Sequence, residues 1–464
     1  MVNDIHSRLN PTSVQSIHSP SSLEELCSIV RLAASEENSI AIAGGRHAMG
    51  GQQFATSALL IDTRSLNRVL HFDQSSGIVE AEGGIFWPEL IEELSRKQVG
   101  VAEPWGVLQT QTGASRLSLG GALSANIHGR GLQLSPFVQD VESFVIVMAD
   151  GKPLRCSRRE HSELFYLVIG GYGLFGIIYS VQLRLKQRQI LRRVVELAPL
   201  QGIIKRFEDR IVNGFLYGDW QFTVDEKSDD FLQRGVFSCY HPLPLETSIP
   251  NNQQELSEDN WMELLYLAHT DRAKGFQRYA DYYLSTTGQV YWSDLHQLGT
   301  YLDDYHRTLD EMLGAEHPGS EIITEIYVPR ERLEDFLCEV AEDFRHNNVV
   351  LIYGTVRLIE AEEETFLRWA TENYACVIFN LHTEHSPEGI EHSAEAFQRL
   401  IDMAIIRGGS YYLTYHRFAR KDQVVTCYPQ FEEFLLLKRK YDPEERFQSD
   451  WYRHYRTIFS GVIE

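Results

Sequence analysis

The chain has 464 residues, of which 43% are hydrophobic and 11% aromatic, a composition typical of a folded globular protein with two or three domains. Its 43 basic and 65 acidic residues give a formal net charge of −22, which argues against nucleic-acid binding, because that depends on clustered Lys and Arg. The six cysteines are scattered without a CxxC pair, which argues against a disulfide framework or a cysteine-based zinc site.

The sequence shows neither the pattern of a signal peptide nor that of a membrane-spanning helix. Residues 1–8 lack the basic-then-apolar pattern of a signal peptide. No stretch reaches the roughly 20 apolar residues that a membrane helix requires. We therefore expect a soluble protein that resides in the cytoplasm, has no membrane span and does not bind nucleic acid.

The first conspicuous motif is a glycine-rich loop that follows an apolar strand. A capping box at 22–25 predicts a helix, and the apolar run after it, 40–43, ends in Gly44-Gly45. Paired glycines allow backbone amides to converge on an anion without interference from Cβ atoms, so the loop predicts a phosphate nest. His47 stands among these glycines, where a loop that only held phosphate would not need it. From the residues alone, His47 is either a hydrogen-bonded loop residue or a group with a chemical role.

Short strands and occasional helices follow this loop. Strands are predicted at 58–61, 69–73 and 77–81, and a helix over 89–97 has Pro88 near its first turn. This irregular order predicts an α+β fold, not the regular alternation of strand and helix found in the common dinucleotide-binding fold.

Two further glycine segments occur before residue 186. Residues 113–131 combine small residues with Ser, Asn126, His128 and Arg130, which would suit either a binding surface or tight turns at the start of a helix. Residues 170–176 contain four glycines and lead into a strand predicted over 177–185. Because each of the three glycine segments adjoins an apolar strand, they predict one long ligand extending through a single domain.

The composition changes after residue 190, where the chain becomes richer in aromatic and acidic residues. Strands are predicted over 215–225, 236–240, 321–328, 349–356 and 375–381, with helices around 260–285, 300–313, 330–346 and 390–407. This section predicts an antiparallel sheet covered by helices. Its aromatic residues would form either core or an aromatic pocket: Tyr240, Tyr291, Trp292, Tyr301, Tyr327 and Tyr353.

The last 50 residues contain a predicted helix that ends before Pro443, with cationic residues in its last turn. Together with the three glycine segments, the ending at 438–450 resembles a known family. The segments at 44–50, 120–129 and 170–176 are similar to the FAD-binding domain of the vanillyl-alcohol oxidase and p-cresol methylhydroxylase family. The ending is similar to that of its sugar and aldonolactone oxidase branch. Residues 325–329 and 376–450 also resemble decaprenylphosphoryl-ribose oxidase.

The resemblance implies an α+β architecture in which two subdomains hold FAD beneath an antiparallel-sheet cap. It implies an FAD-binding domain of the p-cresol methylhydroxylase type over 1–188 and a substrate-binding cap over 189–410. It also implies that a C-terminal segment over 411–464 returns to the FAD-binding domain.

Contacts to FAD are implied for all three glycine segments. The first contributes Gly44, Gly45, Arg46, His47, Ala48, Met49, Gly50 and Gln52; the second contributes Gly113, Ser115, Ser118, Gly120, Gly121, Ser124, Ile127 and His128; the third contributes Gly173, Gly176, Ile177 and Ile178.

His47 has the position at which relatives such as cytokinin and alditol oxidases attach a histidine to the flavin 8-methyl carbon. We therefore expect covalent FAD at His47, although Arg46 and Ala48 stand where these relatives commonly have Gly and Ser. Decaprenylphosphoryl-ribose oxidase binds FAD without such a bond. Gln109 stands where relatives with two bonds have a cysteine, which excludes a second, cysteinyl bond.

The catalytic residues must bind the substrate and accept its hydroxyl proton, because the flavin accepts the hydride. Counting from Gly408-Gly409 places Tyr415 and His416 at or next to the active-site lysine of decaprenylphosphoryl-ribose oxidase. The predicted set is His416 as base or hydroxyl anchor, Arg357 and Asn380 as substrate anchors, Glu325 as orienter, and His382 as a further candidate.

The predicted activity is FAD-dependent oxidation of a CH–OH group in a small polyol, sugar, lactone or related metabolite. The electron acceptor would be O₂ or another acceptor. One alternative is desaturation or reduction of a C–C or C–N bond, as in cytokinin dehydrogenases or sterol reductases. A lesser alternative is an FAD-binding scaffold without turnover.

Overall fold

The computed structural model describes residues 1–299, 302 and 304–463. It confirms the predicted α+β class: helices are combined with one small parallel sheet and two larger antiparallel sheets. A further antiparallel pair of two-residue strands, 105–106 with 186–187, lies within the first 187 residues.

The first part of the chain, to residue 187, contains short strands and four helices. They are β1 (Ser16–His18), α1 (Leu23–Ser35), β2 (Ile40–Ala43), β3 (Leu59–Asp62), β4 (Val69–Asp73), β5 (Ile78–Glu82), α2 (Trp87–Lys97), β6 (Trp105–Gly106), α3 (Leu119–Ala125), β7 (Val141–Val147), β8 (Pro153–Ser157), α4 (Ser162–Val168), β9 (Ile177–Arg184) and β10 (Lys186–Gln187). The parallel sheet has the order β1-β3-β2, and an antiparallel sheet has the order β4-β5-β9-β7-β8. All three glycine segments lie in this part of the chain, in loops that adjoin its strands and helices.

The middle of the chain builds one eight-stranded antiparallel sheet with the order β14-β11-β13-β12-β16-β17-β15-β18. Its elements are β11 (Ile190–Pro199), α5 (Ile203–Val212), β12 (Tyr217–Phe222), β13 (Arg234–Leu243), α6 (Glu258–Thr270), α7 (Arg272–Ser285), β14 (Val290–Trp292), α8 (Tyr305–Leu313), β15 (Gly319–Pro329), α9 (Leu333–His346), β16 (Leu351–Ile359), β17 (Tyr374–Glu384), α10 (Pro387–Ile405) and β18 (Ser410–Tyr411). This is the antiparallel sheet covered by helices that the sequence predicts.

Several elements of this part differ from the sequence prediction, among them α5, β14 and β18, which it does not include. The single helix predicted around 260–285 is two helices, because Asp271 leaves the helical conformation and its side chain accepts a hydrogen bond from the Lys274 amide. Strand β11 was not predicted, since its apolar positions alternate irregularly with Arg192 and Arg193. The helix predicted over 300–313 is α8, and residues 300, 301 and 303 lie outside the described part.

The two faces of the large sheet have different environments. Successive side chains of a strand point to opposite faces. On one face, Phe379 packs against Phe336 and Phe344 of α9, with ring centroids 6.4 and 5.6 Å apart. On the other face, alternate residues such as Glu325 and Asn380 line a cavity. The sheet therefore separates a helix-covered core from the cavity.

The C-terminal segment consists of α11 (Lys421–Cys427), α12 (Phe431–Tyr441), α13 (Asp450–Ile458) and α14 (Ser460–Ile463). It returns to the first part of the chain, where the Ile40 amide donates to the Arg446 carbonyl at 2.7 Å and the Gln448 amide donates to the Ile40 carbonyl at 2.8 Å. These bonds attach the segment to β2, immediately before the first glycine loop.

A buried ion pair shapes the turn that makes this attachment. Lys438 and Asp442 form a salt bridge with almost no exposure of either side chain. Asp442 also accepts hydrogen bonds from the backbone amides of Arg446 and Phe447, both at 2.8 Å. The carboxylate therefore orders the residues that contact β2.

We expect Asp442→Ala to reduce the free energy of unfolding by about 3–5 kcal/mol, because it leaves a buried ammonium without a partner. Thermal denaturation followed by circular dichroism measures the effect. The control is Lys440→Ala, which removes the exposed pair with Glu163 and is expected to cost under about 1 kcal/mol. Equal stability of the two variants would contradict the role assigned to Asp442.

Candidate active site

A cavity of about 960 Å³ lies between the glycine segments and the eight-stranded sheet. This volume is at the upper end of the range for small-molecule sites. Residues of β12, β15, β16 and β17 form one wall, and the glycine segments form the opposite wall. Helices α6 and α7, strand β14 with the residues that follow it, and Tyr412, Thr414 and Tyr415 contribute further lining.

The first two glycine segments touch each other directly. A Cβ atom at Gly44 would lie 2.1 Å from Ser118 Oγ, and one at Gly45 would lie 2.2 Å from the Arg116 carbonyl oxygen. Ser118 caps α3 by accepting a hydrogen bond from the Gly121 amide. Arg46, the next residue, has a φ of 60°, the left-handed conformation that recurs in anion-binding nests.

The third glycine segment is hydrogen-bonded to the second. The Gly170 amide donates to the Leu123 carbonyl at 3.1 Å, and the Tyr172 amide donates to the Ser124 carbonyl at 3.0 Å. Gly173 has a φ of 75°, which favours glycine. The three segments therefore form one continuous wall.

The polar lining of this wall fits FAD. Several buried side-chain atoms that have no hydrogen-bond partner among the described residues belong to residues of the lining. They are Arg46 Nε, Gln52 Oε1, Gln53 Oε1, Gln111 Oε1 and Thr112 Oγ1. A ligand with phosphate, ribityl and ring heteroatoms would supply such partners, since buried polar groups are normally hydrogen-bonded.

Most residues predicted to contact FAD line the cavity. They are Gly44, Gly45, Arg46, His47, Ala48, Met49, Gln52, Gly113, Ser118, Gly120, Gly121, Ser124, Ile127, Gly173, Gly176 and Ile178. Four others lie off the lining: Gly50, Ser115, His128 and Ile177. Ser115 instead exchanges hydrogen bonds with the backbone of Gly299, and Ile177 is buried in a core cluster with Ile40.

Several lining residues had no assigned role from the sequence, among them Gln111, Thr112, Tyr172 and Thr414. Gly83 also belongs to the lining, and its carbonyl accepts a hydrogen bond from the Gly120 amide at 2.7 Å. In the sequence, the Gly83-Gly84 pair marks a break between two elements. Because glycines lack Cβ atoms, such a pair also indicates that another backbone segment can approach closely.

His47 lies on the cavity wall beside a second histidine. Its Nδ1 atom is 2.7 Å from Nε2 of His6, a residue to which the sequence assigned no role. Burial lowers the pKa of His47 to about 4, so the imidazole is neutral at physiological pH. A neutral imidazole has the nucleophilic lone pair that bond formation to carbon requires.

A buried carboxylate occupies the centre of the sheet wall. Glu325 accepts hydrogen bonds from Tyr415 at 2.8 Å and Tyr327 at 3.0 Å, and its Oε2 lies 2.8 Å from Nε2 of His128. Burial acts to raise the pKa of Glu325, but the charges of His128 and Arg357 and the Tyr415 hydrogen bond outweigh it and lower the pKa. Glu325 is therefore an ionised carboxylate at neutral pH.

Unpartnered polar atoms surround this carboxylate on the same wall. Arg357 Nε and Nη1 and Asn380 Oδ1 are buried and have no hydrogen-bond partner among the described residues. Gln221 Oε1 and Asp219 Oδ1 share this property. All four residues line the cavity. The wall can thus bind a ligand that carries several hydroxyl or carbonyl oxygens.

Two predicted catalytic residues lie away from the cavity lining. His416 is buried, with Nε2 3.1 Å from Thr324 Oγ1 and the ring stacked on Phe397, and burial lowers its pKa to about 3. The adjacent Tyr415 lines the cavity instead. His382 contacts Glu321 at 3.4 Å.

Of the aromatic residues for which the sequence left pocket and core open, some line the cavity and others are buried in the core. Tyr291, Trp292 and Tyr353 line the cavity. Tyr240 and Tyr327 are fully buried, and Tyr301 lies outside the described residues. Additional tyrosines on α7 also contribute to the cavity, which gives the cap an aromatic side: Tyr279, Tyr282 and Tyr283.

Comparison with known proteins agrees with this geometry. Residues 14–157 match the family model for an FAD-binding domain. An "uncharacterized oxidoreductase ORF5 in fasciation locus" of Rhodococcoides fascians is 30% identical over 340 residues, 72% of this chain and 70% of that protein. L-gulono-1,4-lactone dehydrogenase of Mycobacterium tuberculosis is 22% identical over 94% of both chains. Cytokinin dehydrogenase 1 of Arabidopsis thaliana is 29% identical over 34% of this chain and 27% of its own length.

The glycine-lined wall together with these matches identifies an oxidoreductase that uses a flavin dinucleotide. The chain belongs to the FAD-linked oxidase family, and FAD is its cofactor. Among the described helices, none has both the length and the apolar character required to cross a bilayer.

We expect Gly45→Ala to lose bound FAD, because the new Cβ atom would overlap the backbone carbonyl of Arg116 and displace the second glycine segment. The ratio of flavin to protein absorbance measures the loss, and circular dichroism checks that the variant folds. Gly461→Ala is the control, since a Cβ atom there meets nothing within 4 Å. A folded Gly45→Ala protein with full flavin content would show that the close contact is not required.

Proposed function

We propose that this protein oxidises a CH–OH group of a small polyol, sugar, lactone or related metabolite. The observation that carries the proposal is the group of Glu325, Arg357 and Asn380 on the sheet wall, with Tyr415 hydrogen-bonded to Glu325 beside them. The similarity to L-gulono-1,4-lactone dehydrogenase over 94% of both chains supports a polyhydroxylated substrate.

The substrate would be bound by the unpartnered polar atoms of the sheet wall. Arg357 donates to a substrate oxygen, and Asn380 accepts from a substrate hydroxyl through its free Oδ1. The aromatic side of the cavity covers the carbon skeleton and excludes water. Arg357 also stabilises negative charge on the substrate oxygen as its proton leaves.

Tyr415 and Glu325 would move that proton. Burial and the neighbouring Glu325 charge raise the pKa of Tyr415 well above its ordinary value, so Tyr415 holds its proton and donates it to Glu325 Oε1. As Tyr415 takes the hydroxyl proton of the substrate, it passes its own proton to the carboxylate. FAD, when bound, accepts the hydride from the carbon and so supplies the two-electron oxidation. Tyr415 thus takes the base role that the sequence assigned to His416, because Tyr415 lines the cavity.

We also propose that FAD is attached covalently through His47 and that the electron acceptor is O₂ or another small acceptor. The buried, neutral imidazole on the cavity wall supports the bond.

We propose a cytoplasmic location as well. It is supported by the six cysteines, all of which are free thiols.

We expect Tyr415→Phe to lower the rate of flavin reduction by about 10²-fold or more, since it removes the group that receives the substrate proton. Stopped-flow bleaching of the flavin under anaerobic conditions measures the rate, after a panel of polyols, lactones and amines has identified a substrate. Tyr327→Phe is the matched control, because Tyr327 also bonds to Glu325 but lies off the cavity lining. A Tyr415→Phe rate equal to that of the control would refute the relay. Selective bleaching by amines would favour C–N desaturation.

The same rate should depend on pH in a defined direction. The pKa of Glu325 is lowered, so the carboxylate stays ionised from neutral pH to below the ordinary range of glutamic acid. The rate is therefore expected to stay level as pH falls from neutral, and to decrease only when Glu325 becomes protonated. A decrease near pH 6–7, the range of an ordinary histidine, would instead implicate an imidazole base.

Acid precipitation tests the bond at His47. We expect a yellow pellet from the unaltered protein and a colourless pellet with a yellow supernatant from His47→Ala. The control is His71→Ala, an exposed histidine on β4, which should still give a yellow pellet. Flavin that remains in the pellet of His47→Ala would overturn the assignment.

A further inference from the structure

Three histidines surround one buried glutamate at the edge of the cap, outside the cavity lining. Glu321 Oε1 lies 3.3 Å from His269 Nε2 and 3.4 Å from His382 Nδ1. The other oxygen, Oε2, lies 3.1 Å from His306 Nδ1 and accepts a hydrogen bond from Tyr305. These residues come from α6, α8, β15 and β17, so the cluster depends on the tertiary structure.

The donor atoms lie close enough together to share one transition-metal ion. One ligand atom each from His269, Glu321 and His382 lies within 4.8 Å of the other two. Zinc takes nitrogen and oxygen ligands at about 2.0–2.2 Å in a tetrahedron, whose edges are then roughly 3.3–3.6 Å long. The two oxygen–nitrogen distances at Oε1 fall in this range.

Hydrogen bonding does not account for all of these nitrogens. His269 Nε2 and His306 Nδ1 are buried and have no hydrogen bond of good geometry among the described residues, although each faces the carboxylate. The His269 and His382 rings are perpendicular, with centroids 4.7 Å apart. His269 and His382 thus each direct one ring nitrogen toward Glu321 Oε1, an arrangement in which a cation can lie among the three ligand atoms.

The cluster is separate from the proposed reaction site but close to it. None of Glu321, His269, His306 and His382 belongs to the cavity lining. Ile323 and Asn380, two residues along β15 and β17, do belong to it. A step of two residues along a strand is roughly 7 Å, so the cluster adjoins the outer end of the substrate wall.

We propose that His269, Glu321 and His382 bind one divalent transition-metal ion, with zinc the best fit to this set of ligands. Two imidazoles and one carboxylate are ligands that zinc commonly takes, and they leave a fourth position for water. Tyr305 donates a hydrogen bond to the second carboxylate oxygen, beside which His306 also lies, and so orients Glu321 toward the ion. The ion links α6, whose residues Leu264 and Ala268 line the cavity, to the central strands of the cap.

The test uses the full-length flavoprotein without a polyhistidine tag. The protein is treated with a chelator, exposed to Zn²⁺, desalted and analysed for metal by mass spectrometry and for melting temperature. We expect one zinc per chain and a melting temperature several degrees higher than that of the chelated protein, because a ligand that binds only the folded state stabilises it. Protein that retains only trace zinc after this treatment would overturn the proposal.

Two variants locate the ion. Glu321→Gln and His382→Ala are expected to lose the bound zinc and the rise in melting temperature, and His382 is partly exposed, so its removal is compatible with folding. His346→Ala, an exposed histidine in the last turn of α9, is the matched control and should keep one zinc. Glu325→Gln should also keep it, which separates this site from the buried group of His128, Glu325 and Cys376. Zinc retained by both Glu321→Gln and His382→Ala would exclude the site.

Discussion

Close backbone contact between the glycine segments is the constraint on which the cavity depends. Any side chain at Gly44 would overlap Ser118, and a Cβ atom at Gly120 would lie 3.0 Å from the Gly83 carbonyl oxygen. The first segment can therefore lie this close to the second only because Gly44 and Gly45 lack side chains. The left-handed turn at Arg46 then directs the first loop along the cavity instead of away from it.

The C-terminal segment supports this wall from outside. Its hydrogen bonds to Ile40 hold the first residue of β2, the strand that leads into the first loop. The turn that makes these bonds is ordered by Asp442, whose charge is balanced by the buried Lys438. A residue about 400 positions later in the chain thus contributes to the position of the glycine loop.

The opposite wall has a different physical basis, because it is a sheet face that carries charge. A fully buried carboxylate would be unfavourable alone, and Glu325 is stabilised by His128, Tyr327 and Tyr415. The neighbouring Arg357 and Asn380 retain unpartnered atoms that a ligand can satisfy. Further along β15 and outside the cavity lining, Glu321 is surrounded by histidines instead.

The sequence by itself determined the α+β class, the FAD-linked family, the antiparallel cap and most of the cofactor wall. These features depend on local signals that can be recognised from neighbouring residues alone. The signals are glycine pairs, the alternation of apolar and polar residues in strands, and the end of a helix before Pro443. Only the tertiary structure decided which side chains meet across long separations. Tyr415 rather than its neighbour His416 lines the cavity, His6 reaches His47, and Glu321 gathers histidines from three other elements. Such contacts depend on strand register and on which way each side chain points, and a shift of one residue reverses that direction.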